Sequence, residues 1–298
     1  MGLQKEISDF LMGNGITHDT VTISGHSVVV AHIGKDRKVS IIPAAIHAET
    51  PEDAAKYTEN LSSCIDSIVN DTGDRPLIIS EDRWKSQAET TKERILAHLE
   101  IFIQIYARNC EVRKIDKNTA AEFLKSNHSY GDASCRYRYG LYLKRHTGHN
   151  AGSVSVGPGC LVAVATFSNG RKWIKGEKTI RSYEWTRYAS LPGVRLSGGM
   201  GRLLKAFIDD VQPDDIMTYA DLEWSEGKVY EALGFVLEGF KEPVVFHVDQ
   251  TWRRFPVKQA STECPSLPEG ASLPKTSGNL YYKNLGSNKY RLKLTDYQ

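Results

Sequence analysis

A turn nearly bare of side chains, set between an alternating strand and an amphipathic helix, constrains this chain more than any other stretch. Tyr183 to Pro192 alternates aromatic or aliphatic residues with polar ones, the period of a half-buried strand, and breaks at Pro192-Gly193. Ser197-Gly198-Gly199-Met200-Gly201 follows. Arg202 to Ile208 then reads as a helix, with Leu203, Leu204, Phe207 and Ile208 on one face. Backbone N–H groups at such a turn point at one spot. With the positive end of the helix dipole they can hold a phosphate. The same composition also makes a tight turn and nothing more. A second strand is expected at Ile216 to Asp221, then a polar turn, Glu223 to Gly227, and a short helix from Lys228 closed by Gly234.

This order of elements, ending in Tyr230-x-x-Leu233-Gly234-Phe235, resembles the GNAT (GCN5-related) acyltransferases over roughly residues 115–250. Arg195-x-x-Gly198 fits the first half of the family's Arg/Gln-x-x-Gly-x-Gly/Ala loop. Met200 stands where the second small residue belongs, and Gly201 comes one place later. The resemblance implies an acyl donor, acetyl-CoA or a relative, gripped by Arg195, Ser197, Gly198, Gly199, Gly201 and Arg202. It puts Tyr230 at the family's proton-donor position, facing the departing thiolate. Asp221, Glu184 and His128 are the candidates for activating the acceptor amine. Asp221 at a strand end also fits an Asx-turn, and His128 after a helix also fits a cap. The family's central sheet would run Tyr139–Leu143, Leu161–Phe167, Tyr183–Leu191 and Ile216–Ala220, with a cleft where the last two strands splay. Tyr219-Ala220-Asp221, with Gly227 and Tyr230, also looks like the Mom-type phage DNA-modification branch, which implies a nucleobase or nucleic-acid-associated acceptor.

At 298 residues the chain is long for one domain, and the fold class expected is α/β in two domains. Residues 1–109 form a small α/β domain. A helix is expected at Glu6 to Met12, short strands at Val21 to Ile23, Ser27 to Ile33 and Lys38 to Ile42, and a helix from Pro51 to Asn70. A buried strand ends at Ser80, and a long helix should follow from Trp84 to Tyr106. Leu77 to Ser80 followed by Glu81-Asp82-Arg83-Trp84 resembles the very-short-patch-repair-like nucleases, a restriction-endonuclease-like fold. The resemblance puts Val29 and Ser40 where a metal-holding Asp and Glu belong. Neither can ligate a hard cation, which implies a domain that kept the fold, holds no metal and lost cleavage.

Residues 110–255 carry the GNAT-like mixed-sheet domain, and 256–298 a Pro/Ser-rich linker with a basic, aromatic tail. A helix is expected at Thr119 to Lys125, capped by Asn118 or Thr119. Arg136 to His146 interleaves basic and aromatic residues: Arg136 and Arg138 share one strand face, Tyr137 and Tyr139 the other. With Arg171 and Lys172 these cations are candidates for phosphate contacts, the alternative being a solvated strand face. Glu184 and Arg187 point to opposite sides of a regular strand and meet only if it bulges.

Composition bounds the rest. With 40% hydrophobic and 25% charged residues the chain is globular, and its apolar runs are too short for a bilayer. Five scattered cysteines read as reduced thiols, so a cytoplasmic location without membrane association is expected. A net charge of +2 neither demands nor excludes nucleic acid. Two classes therefore stand: an acyltransferase, acting on a nucleobase or on a small amine, or a noncatalytic nucleic-acid-binding protein of phage or mobile-element origin built on two degenerate enzyme folds.

Overall fold

The computed structural model describes residues 2–145, 156–257 and 280–297. The expected hairpin loop at Gly148 to Gly159 and the Pro-rich linker fall largely outside them. The fold is α/β. Two compact units divide it: residues 1–88 with 242–286, and 89–241 with 287–298.

The first unit opens with α1 (Leu3–Gly13), whose Leu3, Ile7 and Leu11 are buried at helical spacing. Strands β1 (His18–Ile23), β2 (His26–Ile33) and β3 (Arg37–Ala44) form an antiparallel meander. Then come α2 (Pro51–Thr72), β4 (Leu77–Ser80) and α3 (Glu81–Ser86). Thr50 caps α2 by accepting the Asp53 N–H at 3.1 Å, with Pro51 in the first turn and left-handed Gly73 at the end. β4 joins parallel to β3, giving the order β1-β2-β3-β4. Val29 pairs with Ile41 and Ser40 with Val30. Side chains alternate along a strand, so Val29 and Ser40 lie on opposite faces of this sheet.

The long helix expected from Trp84 to Tyr106 is three elements instead. After α3 come α4 (Ala88–His98) and β5 (Ile103–Tyr106). Glu100 takes a left-handed φ of 64°, and the Ile101 N–H closes back on the Leu96 carbonyl at 2.9 Å, which ends α4. Ile103 and Ile105 then alternate with Gln104 and Tyr106 as a strand.

The second unit continues with β6 (Cys110–Lys114), α5 (Lys117–Asn127), β7 (Tyr137–Leu143), β8 (Leu161–Phe167) and β9 (Arg171–Lys175). Then come β10 (Lys178–Ser190), β11 (Val194–Ser197), α6 (Gly199–Val211), β12 (Asp215–Asp221), α7 (Lys228–Ala232) and β13 (Val236–Lys241). The cap of α5 is Asp116, not Asn118 or Thr119. Its Oδ1 accepts the N–H groups of Asn118 at 2.8 Å and Thr119 at 3.0 Å, a carboxylate outcompeting a hydroxyl at a helix N-terminus.

Strands β14 (Val245–Val248), β15 (Arg254–Pro256) and β16 (Leu280–Lys283) return to the first unit, and β17 (Ser287–Lys293) returns to the second. The large sheet runs β13-β17-β12-β10-β8-β7-β6, with β9 on β10 and a separate parallel pair of β5 with β11. The four strands expected at its centre lie side by side. Phe207 of α6 stacks on Phe167 at 3.9 Å among Tyr139, Tyr183 and Trp185. Phe123 and Leu124 of α5 pack on Val164 and Ala189, the opposite face.

Residues 242–286 thus enter between β13 and β17, which pair antiparallel in the second unit, while β14 and β16 complete the first. Residues 89–109, expected in the first domain, count with the second unit because β5 pairs with β11.

Candidate functional site

The site grows from the parting of two strands. β10 pairs with β12 only from Ser182 to Glu184, against Asp215 to Met217. Beyond Glu184 it stays with β8, and the register slips between Trp185 and Arg187, leaving Thr186 as an extra residue. The two strands diverge into a cleft. Its apex is tied by the buried Thr218 hydroxyl, which donates to the Trp185 carbonyl at 3.1 Å. The Leu191 N–H donates to Val162 of β8, so by alternation the Tyr188 and Ser190 amides face the open edge.

One wall carries the glycine turn. Gly198 takes a left-handed φ of 76°, which turns β11 into α6 without strain. The first bond of the helix is Arg202 N–H to Gly198 O at 3.1 Å, and no side chain caps the end. The N–H groups of Gly199, Met200 and Gly201 therefore have no partner within the helix. A Cβ on Gly199 would come within 2.6 Å of Leu196 and 3.2 Å of the Tyr188 hydroxyl, so the turn is packed closely from inside. Met200 is half-buried and packs against the core.

The flanking candidates have separate duties. The Ser197 hydroxyl accepts from Gln104 at 2.8 Å. Arg202 donates to the Ala107 carbonyl at 2.8 Å, strapping the first helical turn in place. Arg195 is exposed and lies 5.2 Å over the Phe102 ring.

Tyr230 closes the inner end. Gly227 caps α7 with φ 91°, and a Cβ there would meet the Tyr290 ring at 2.4 Å. That close approach sets the Tyr230 ring 5.7 Å from Tyr290 and 5.9 Å from Trp185. Burial pushes the Tyr230 phenol up from its ordinary value, with the Thr218 hydroxyl opposing. Burial also raises Tyr188, helped by Tyr230 beside it and by Cys110. Both phenols stay protonated at neutral pH.

The other wall gathers the acceptor-side candidates. Asp221 accepts the Glu223 N–H at 3.0 Å and the Tyr130 hydroxyl at 2.9 Å. Tyr130 in turn donates its backbone N–H to His128 Nδ1 at 3.0 Å, so His128, Tyr130 and Asp221 form one chain. His128 sits at the C-cap of α5, and Asp221 makes the Asx-turn its position allowed. The bulge falls between Glu184 and Arg187: burial lowers the Arg187 guanidinium, and the Glu184 charge opposes that shift. Arg187 donates to the carbonyls of Gly131 at 3.2 Å and Thr186 at 2.8 Å.

The expected phosphate contacts separate. Arg138 is half-buried, with its guanidinium turned onto the Cys135 and Arg136 carbonyls. Arg136, Arg171 and Lys172 are exposed. Among the described residues no group of three His, Cys, Asp or Glu side chains converges on a metal position. Sequence reasoning missed Tyr130, Tyr188 and Thr218. Tyr130 follows His128 by two residues, and Tyr188 lies in the alternating strand, whereas nothing local marks Thr218.

No family model matches the chain, and no curated protein matches it in sequence. Among solved structures it is similar to Eis1 from Mycobacterium abscessus, at 13% identity over 46% of this chain and 33% of that one, TM-score 0.33. It is also similar to a GNAT-family acetyltransferase from Bacillus anthracis, at 14% identity over 62% of this chain and 95% of that one, TM-score 0.31. A third is an AtaT toxin mutant bound to the C-terminus of the antitoxin AtaR and acetyl-CoA, at 14% identity over 50% of this chain and 93% of that one, TM-score 0.28. The chain spans about a third of the Eis1 structure and nearly the full length of the other two.

Proposed function

We propose that the second unit is a GNAT-like N-acyltransferase taking acetyl-CoA or a related acyl donor, with an amine on a nucleobase or a nucleic-acid-associated molecule as acceptor. One observation carries the reading: β10 and β12 part just where an uncapped helix N-terminus and a protonated tyrosine flank the opening. The turn fits a diphosphate. Its N–H groups lack helical partners, and Met200, the residue at odds with the family loop, packs toward the core. Bound there, the donor supplies the activated acyl group.

The chain's own residues do the remainder. An amide on the open edge of β10, Tyr188 or Ser190, is placed to polarise an acyl carbonyl. Tyr230 holds its proton at neutral pH and is placed to deliver it to a departing thiolate. Glu184 is the carboxylate we assign to take the proton of the amine, since both oxygens of Asp221 are already engaged. Asp221, fixed through Tyr130 and His128, positions the acceptor.

Thiol release from acetyl-CoA in the presence of amines tests this. Tyr230→Phe is expected to lower kcat by about 10²–10⁴ with little change in KM for the donor. Equal loss of binding and turnover would make Tyr230 a packing residue. The competing reading, a noncatalytic nucleic-acid-binding scaffold, is favoured by Val29 and Ser40 on opposite faces of the first sheet. It predicts no thiol release with any amine.

A further inference from the structure

The hairpin of β9 and β10 has a charge pattern that the acyl-transfer reading does not use. Every residue of β9 is exposed, including Trp173 at 51% and Ile174 at 81%. In the pairing register Lys175 lies opposite Lys178 and Lys172 opposite Arg181. Like charges directly opposite each other destabilise a ribbon. Between residues 171 and 181 there are five cations and one acid, Glu177. Arg181 bonds the Gln212 carbonyl and lies 3.8 Å from Asp214, and Lys178 bonds the Asp296 carbonyl. Among the described residues Arg171, Lys172, Lys175 and Lys178 are in no ion pair with an acidic side chain, and Lys178 gives only one of its three N–H donors to a carbonyl. A lysine or two guards an exposed edge strand against aggregation. Two like-charge pairs on one short hairpin go beyond that need.

The faces identify the partner. Paired residues share a face, so Arg171, Trp173, Lys175 and Lys178 lie on one side, and Lys172, Ile174 and Arg181 on the other. A flat acidic protein surface would meet only one side. A groove with phosphates on both walls meets both, and the major groove of B-form DNA, about 12 Å wide, admits a two-stranded ribbon. We infer that the β9–β10 hairpin docks in the major groove of duplex DNA, with Arg171, Lys172, Lys175 and Lys178 on the phosphates. This deepens the nucleic-acid half of the proposed function and is independent of acetyl-CoA binding.

Fluorescence anisotropy with a labelled DNA duplex, between about 50 and 200 mM salt, provides the test. The slope of log affinity against log salt should be about −3 to −4, at about −0.9 per neutralised phosphate. The variant R171Q/K172Q/K175Q/K178Q should lose nearly all of that slope and bind at least about tenfold more weakly at the lowest salt. Trp173→Ala should weaken binding without changing the slope. Duplex RNA, whose major groove is too narrow for a ribbon, should bind at least about tenfold more weakly than DNA. The double variant K172Q/K175Q breaks both like-charge pairs, so its Tm should be unchanged or higher while the slope falls by about two. Unchanged DNA affinity in the fourfold variant, equal binding of RNA and DNA duplexes, or displacement of DNA by polyglutamate at equal charge would each overturn the inference. Acetyl-CoA binding measured on the same variants separates its failure from failure of the acyl-transfer reading.

Discussion

The proton-donor role proposed for Tyr230 depends on the surroundings of its phenol. Burial disfavours the charged form, so the Tyr230 phenol is still protonated when a thiolate forms beside it, and the same burial favours neutralising that thiolate by proton transfer. Among the carboxylates that bonding partners hold down, Glu238 is the most strongly lowered of the described residues. Arg291 and Lys289 hold Glu238 by side-chain bonds of 2.7 Å each, and its carboxyl is pushed down to about 2 against the burial that would raise it. A depressed carboxylate contributes stability above its unfolded value of about 4.3, and that contribution is lost as pH falls through the folded value. Thermal melts across this window should therefore show the wild type losing Tm between about pH 4.5 and 2. Glu238→Gln should flatten that limb while lowering Tm at pH 7. A variant with the same acid limb as the wild type would contradict the assignment.

At the scale of elements, short connections decide what the strands can do. Gly227 lets α7 sit against Tyr290, and Gly227→Ala adds a Cβ at 2.4 Å from that ring in a backbone region L-residues avoid. A loss of roughly 1–3 kcal/mol is expected in denaturant unfolding, and turnover should fall as Tyr230 is displaced. An unchanged midpoint would mean that α7 is free to shift. In the first unit Asp82 and Arg254 form a buried bidentate pair, 2.6 and 2.9 Å, with only 4% and 9% of the two side chains exposed. Asp82→Ala leaves the guanidinium buried without its carboxylate, and about 3–5 kcal/mol should be lost. Most elements were legible, since alternation and helical spacing marked β2, β3, α2, β8, β10 and α6. The break between α4 and β5 was not, because Ile95, Leu99, Phe102 and Ile103 continue a helical stripe. Only the left-handed turn at Glu100, a residue with no glycine-like signature, interrupts it. The bulge at Thr186 was legible only as a condition: Glu184 and Arg187 could meet if it formed.

For the whole molecule, the main fact is that the chain visits its units twice. The first unit needs β14, β15 and β16, which arrive after the second unit has laid down all but its last strand. The Thr58 hydroxyl donates to the Lys283 carbonyl at 2.7 Å, and Arg254 answers Asp82. A fragment of residues 1–109 lacks these partners, so it should show no cooperative melt by circular dichroism. A sharp transition in that fragment would mean that the returning strands are dispensable. Sequence patterns are local, and that is why this topology escaped them: periodicity gives elements but not which of them meet across two hundred residues, as Thr58 and Lys283 do. The candidate site was legible as far as its parts are contiguous, in the glycine turn and in Tyr230. Tyr188, Thr218 and Tyr130 join it only through pairing and the cleft. Calorimetric titration with acetyl-CoA of the wild type and Gly201→Asp tests whether the turn at Gly198 to Gly201 holds an acyl donor's diphosphate, as proposed. A carboxylate in the first turn favours the helix but repels a phosphate; its Cβ lies 3.2 Å from the end of the Leu233 side chain, so Tm should fall slightly at most while binding heat disappears. No heat from the wild type at millimolar acetyl-CoA, or equal heat from both proteins, would contradict the account.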